Sequence, residues 1–285
     1  MTIDAGTSLG PVELTVADLD LQAGFYRDAI GLRELRRGDG RVELGVPDGA
    51  GPLVTLVESP HAPVRLRRTT GLFHLALLVP DRDELARAIN RVAATGHRFT
   101  GASDHLVSEA LYLDDPEGNG IEIYRDRPRA DWPRADGQLQ MATLPLDLEG
   151  VLAGVAAGDA GDGMAAGTVI GHVHLQVASL EATEAFYVDG LGFDVVVRGY
   201  PGALFVSAGG YHHHLGLNTW AGEGAPAPPP GARGLRTFTI VLPDAGSLAA
   251  TIEAAAAAGI DVGEDESGRT IVSDPSGNKA VLATR

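Results

Sequence analysis

An α+β fold is predicted, built from four copies of a βαβββ module arranged as two halves. Three observations predict it. The segment GPVELTVADLDLQAGFYRDAIGL from Gly10 returns as GHVHLQVASLEATEAFYVDGLGF from Gly171. The segment GLFHLALLVPDRDELARAINRVAATGHRF from Gly71 returns as GLRTFTIVLPDAGSLAATIEAAAAAGIDV from Gly234. The closing stretches LDDPEGNGIEIY and VSDPSGNKAVL also match. Duplication on this scale gives an A-B-A′-B′ array, in which each repeat is one supersecondary unit.

Each module opens on alternating apolar and polar residues, as in His172-Val-His-Leu-Gln-Val177, which is the period of a strand. An amphipathic helix follows, over 180–188 in one copy and 83–95 in another. Gly96 and Gly259 come just after the helices of modules two and four, where a left-handed C-cap is expected. Three short strands with Gly, Pro and Asp turns complete the unit. The Asp-Pro-x-Gly-Asn runs at 115–119 and 274–278 predict tight turns before a last strand. The division is 8–125 for the first half, 126–168 for a part-helical linker with an amphipathic stretch over 144–152, and 169–285 for the second half. The Pro/Gly-rich run at 221–234 reads as a connector between modules three and four.

Composition narrows the chemistry. Lys+Arg number 22 against Asp+Glu 38, for a net charge of −16, so a nucleic-acid partner is not expected. No run approaches the ~20 apolar residues of a membrane span, and no basic segment followed by an apolar run opens the chain. A cytoplasmic location is therefore expected. There is no cysteine, which removes disulfides, thiolate nucleophiles and zinc–thiolate sites. Chemistry must come from His, Asp, Glu, Tyr or a metal. Of the nine histidines, only His61 and His97 read as ordinary surface residues. His74, His172 and His174 fall in first strands, the last two on one face. His105 precedes the last hairpin of module two, and His212, His213 and His214 are assigned to the last strand of module three. A histidine on a strand is more often packed than ligating, so joint placement has to decide.

Four such modules, with Phe25-Tyr26 and Phe186-Tyr187 in the first helix of each half and Asp-Pro-x-Gly-Asn before a last strand, resemble the vicinal oxygen chelate superfamily. That superfamily includes glyoxalase I, extradiol ring-cleaving dioxygenases and bleomycin-resistance proteins. The resemblance implies that modules pair into cupped mixed sheets around one metal. It puts ligands five residues before the Val closing a first strand, and at a Glu seven residues after the Asp of the turn. Module two then supplies His74 and Glu122, and module three supplies His172. Module one offers Pro11, and module four offers Thr237 and Val281, none a ligand. A complete two-His, one-carboxylate set requires modules 2+3 to pair, leaving 1+4 as a structural cup. Such a set suits Fe(II), with Mn(II) as the alternative.

The stretch from Asp104 to Glu122 resembles the extradiol dioxygenase signature, with Ser103 as one mild departure. That implies a substrate-bonding role for His105 and a supporting phenol at Tyr112. The run Tyr211-His-His-His-Leu-Gly216 resembles the context of the family's acid–base histidine, placing that role on His213 by alignment. Strand parity would set His212 and His214 on the other face from His213, and a one-residue error would move the role to them. His174, His212, His214 and Asn218 are candidate pocket residues. The sequence as a whole is similar to catechol-2,3-dioxygenase-like members, which implies a small aromatic diol and O2 as substrates. Two readings stay open: a glyoxalase-like metal-dependent lyase or isomerase, whose fourth ligand would come from 212–214, and a non-catalytic drug-sequestering protein. Apolar surface edges are compatible with a homo-oligomer.

Overall fold

A computed structural model describes residues 1–47 and 49–285. Module one comprises β1 (Ser8–Val16), α1 (Leu19–Phe25), β2 (Arg33–Gly38), β3 (Arg41–Gly45) and β4 (Val54–Glu58). Module two comprises β5 (Gly71–Leu78), α2 (Arg82–Ala94), β6 (Gly101–Asp104), β7 (Ser108–Asp114) and β8 (Gly120–Asp126). The linker holds β9 (Arg134–Ala135), β10 (Gln138–Leu139), β11 (Leu144–Pro145) and α3 (Leu148–Leu152). Module three runs β12 (Val169–Gln176), α4 (Leu180–Glu184), β13 (Asp194–Val197), β14 (Ala203–Ser207) and β15 (Leu215–Asn218). Module four runs β16 (Gly234–Leu242), α5 (Ala245–Ala257), β17 (Val262–Glu264), β18 (Thr270–Ser273) and β19 (Lys279–Thr284). The βαβββ unit therefore occurs four times.

Local chemistry sets the helix ends. Asp18, Asp81, Ser179 and Asp244 are the N-caps of α1, α2, α4 and α5, each side chain accepting from a backbone N–H three residues on. Gly96 and Gly259 follow α2 and α5 at φ of 76° and 78°, the left-handed stop expected there. In modules one and three the helix is not uniform. α1 and α4 pass into π-helical segments, Tyr26–Ile30 and Ala185–Gly190, at the Phe-Tyr pair. The helix predicted over 180–188 is thus two segments in series.

Two compact units are resolved by their internal packing. One takes Met1–Glu13, Pro63–Phe73 and Gly171–Arg285; the other takes Leu14–Ala62 and His74–Ile170. Val173, Leu175, Tyr187, Phe193, Leu215, Phe238 and Ile240 are buried in the first, and Leu14, Tyr26, Leu44, Leu56, Leu75, Leu77, Ile121 and Tyr124 in the second. The strands order into an eight-stranded sheet, β17-β18-β19-β16-β1-β4-β3-β2, and a nine-stranded sheet, β11-β6-β7-β8-β5-β12-β15-β14-β13. β9 and β10 form a separate hairpin. Strands of modules one and four share the first sheet, and those of modules two and three share the second, as the ligand arithmetic requires. Among the described residues no helix is long and apolar enough to cross a membrane.

Candidate metal centre

β5 and β8 pair in parallel with Ala76 opposite Glu122. His74 lies two residues before Ala76 and shares its face of the strand. Its Nε2 sits 3.0 Å from Glu122 Oε2. β7 pairs antiparallel with β8 so that Tyr112 stands opposite Glu122, and the Tyr112 and His74 rings lie 5.6 Å apart. Ala76, Ala110 and Tyr124 form the apolar floor, with Leu78 and Tyr112 packed on it. One ligand atom each from His74, Glu122 and His172 lies within 4.8 Å of the other two. These residues are 6%, 2% and 2% exposed. Burying a carboxylate among neutral donors costs several kcal/mol, and a dication at such a group offsets that cost. Two imidazoles and one carboxylate are a donor set that suits a divalent transition metal.

The turn before β8 is closed by side-chain hydrogen bonds. Asp115 Oδ1 accepts from the backbone N–H of Glu117 and Asn119, both at 2.9 Å, and Oδ2 accepts from Asn119 Nδ2 at 2.8 Å. Tyr26 donates to Asp115 Oδ2 at 3.4 Å. In the second half, Asp274 accepts from Ser276 and Asn278 in the same way, and Tyr187 donates to it at 3.3 Å. The Phe-Tyr and Asp-Pro-x-Gly-Asn motifs are therefore two ends of one contact, which their separation in sequence conceals. Burial pushes both carboxyls up despite these donors.

His105 occupies the turn between β6 and β7. Its Nδ1 is 2.7 Å from the Ala142 carbonyl and its Nε2 is 2.6 Å from the Tyr112 hydroxyl. Leu106, next in the turn, is left-handed at φ 69°, and its N–H donates to Asp104 Oδ1 at 2.8 Å. Behind the hairpin, the buried Glu109 accepts from Arg82 at 2.9 and 3.0 Å and from Arg125 at 2.7 Å. Burial alone would push that carboxyl up, but the guanidinium donors outweigh it and hold it below the usual range.

The 212–214 run departs from expectation. These residues precede β15, which begins at Leu215, so strand parity does not sort them. Gly209 and Gly210, both at positive φ, turn the chain there and break the alternation. His213 lies against His172, ring centroids 4.2 Å apart, while the His212 ring is 6.2 Å from His172. His212 and His213 Nδ1 atoms are 2.8 Å apart. His214 instead accepts from the Ala208 N–H at 3.1 Å and lies 3.3 Å from Ser207 Oγ, which gives it a structural partnership. His174 packs over Gly216, where any Cβ would come within 2.8 Å of its ring. Asn218 is fully buried, and its Nδ2 has no hydrogen-bond partner among the described residues. Phe205, 5.0 Å from the His213 ring and 5.7 Å from His174, joins this group unforeseen. An apolar aromatic inside a strand carries no signal that separates a pocket wall from core.

Comparison with known proteins agrees with this geometry. Residues 8–123 and 169–282 match the glyoxalase/bleomycin resistance protein/dioxygenase superfamily, and the chain belongs to it. It is 44% identical over 284 residues to the catechol-2,3-dioxygenase of Bacillus subtilis (strain 168), covering 97% of each chain. Among solved structures, glyoxalase I from Zea mays shares the fold with a TM-score of 0.59 at 17% identity, over 97% of this chain and 92% of that one.

Proposed function

We propose that the chain is an extradiol ring-cleaving dioxygenase that opens a catechol-type diol with O2 at a single non-haem metal. The observation that carries this is the buried His74–Glu122–His172 group in a chain 44% identical to a catechol-2,3-dioxygenase. Those three residues would hold Fe(II), or Mn(II) in its place. When bound, such a metal would supply a redox-active Lewis acid for the diol and O2. The remaining work falls to the protein. His213, beside His172, is assigned as the base that takes a phenolic proton and later returns one. His105 is assigned to act through Tyr112, whose oxygen, 2.6 Å from His105 Nε2, would accept from a diol hydroxyl. Asn218 Nδ2 is a buried donor, and leaving it unpaired costs about 1–3 kcal/mol. That favours an acceptor on the ligand. Phe205 and His174 give the ring apolar and edge-on contacts. A lyase of the glyoxalase type needs a fourth protein ligand, and among the described residues no further His, Asp or Glu joins the group.

The test is aerobic incubation of Fe(II)-loaded protein with a panel of catechols. A yellow ring-opened semialdehyde is expected. His213→Ala should keep the metal and lower kcat by roughly 10²–10⁴-fold. An unchanged kcat would move the base elsewhere, and turnover of a hemithioacetal without O2 would replace the dioxygenase reading.

A further inference from the structure

We infer that the linker between the halves is part of the site: its Ala142 carbonyl fixes the orientation and tautomer of His105, making this segment a positioning element. The inference rests on the dioxygenase reading only for the role of His105. A carbonyl oxygen can only accept, so the 2.7 Å contact requires the proton on Nδ1. In the neutral ring Nε2 is then a lone pair, and the 2.6 Å contact makes Tyr112 the donor. The Tyr112 oxygen, its proton committed, offers only acceptance to a further group. A neutral diol hydroxyl would therefore meet an acceptor at this pair.

The linker is built to hold that carbonyl in place. β11 pairs antiparallel with β6, Leu144 opposite Asp104 and Pro145 opposite Ser103, so it adds an edge strand immediately beside the His105 turn. Asp104 is fixed from the other side by Arg127, at 2.7 Å. Arg82, which clasps Glu109 on β7, also donates to the Gly150 carbonyl of α3 at 2.8 Å, and Asp147 caps that helix through the Gly150 N–H at 3.0 Å. The left-handed Leu106, at φ 69°, is a strain that persists only where the surroundings over-determine it. Nothing in a backbone carbonyl marks this role in the sequence.

The test is nitrogen-15 NMR of the imidazole side chains in the metal-free full-length chain, above the usual histidine titration range. His105 should appear as the Nδ1–H tautomer. Tyr112→Phe should leave it so, because the linker and not the phenol sets the proton. Deleting residues 141 and 142, which withdraws the carbonyl, should shift the ring toward the Nε2–H form. An Nε2–H ring in the unaltered chain, or a switch to it in Tyr112→Phe, would overturn the inference. Metal content is read separately on the same samples. Loss of the metal reading with an Nδ1–H ring leaves this inference standing, and the reverse result removes it alone.

Discussion

Modules two and four are copies that differ at the residues that matter. Both pair their first and last strands in parallel at the same register: Ala76 faces Glu122 in one, Thr239 faces Val281 in the other. Both end on the same Asp-Pro-x-Gly-Asn turn, met by the same tyrosine contact. Yet where module two has His74, Tyr112 and Glu122, module four has Thr237, Ile271 and Val281. Modules one and three repeat the lesson. His172 corresponds to Pro11, and His174 to Glu13. The His174–Phe73 ring contact at 5.1 Å has as its counterpart an ion pair, Glu13 with Arg236 at 2.8 Å. Apolar alternation and turn chemistry maintain the scaffold, and a few polar substitutions at fixed register positions distinguish modules two and three from one and four.

The largest effect should come from converting one module into the other. The triple variant H74T/Y112I/E122V should fold, keep its thermal stability without metal, and bind no metal. Failure to fold would mean the polar set is structural. The reverse exchange, T237H/V281E, should bind no metal, since Pro11 offers no third ligand. Burying its new carboxylate should cost several kcal/mol in denaturant unfolding; a stable, metal-loaded variant would contradict the comparison.

A smaller effect separates the buried carboxylates Glu109 and Asp115 of module two. Glu109→Ala leaves Arg82, Arg125 and Arg127 around an emptied site and should cost about 3–5 kcal/mol. Its sign with pH follows from its lowered value. The unfolded Glu titrates at about 4.3, so the stability Glu109 contributes is present above that pH and lost as pH falls through the folded value. The wild type should therefore lose stability below that pH more steeply than Glu109→Gln. Asp115 and Asp274, pushed up by burial, act oppositely: their contribution is present at low pH and declines as pH rises. The smallest effects should be Tyr26→Phe and Tyr187→Phe, each costing roughly 0.5–1 kcal/mol for one long hydrogen bond. A marked inequality between them would show that the duplicated contact is not equivalent in the two halves.

Much of this was legible in the sequence because it is written in patterns of side chains. The repeats gave the βαβββ unit, and the family resemblance, through the positions it assigns relative to the closing Val and to Asp115, pointed to His74, His172 and Glu122. The histidine run at 212–214 was misread as strand because glycine-driven turns override the alternation on which parity rests. His213 still falls against His172, by way of a turn. Ala142 was beyond reach, because its contribution is a backbone carbonyl. The Tyr–Asp contacts were hidden by a separation of 89 residues in one half and 87 in the other.

The most direct test of the account is the metal content of anaerobically purified protein after Fe(II) loading, beside His74→Ala, Glu122→Ala and His172→Ala. One iron per chain in the unaltered protein, lost in each variant, is the predicted result. Full iron retention in all three variants would contradict it.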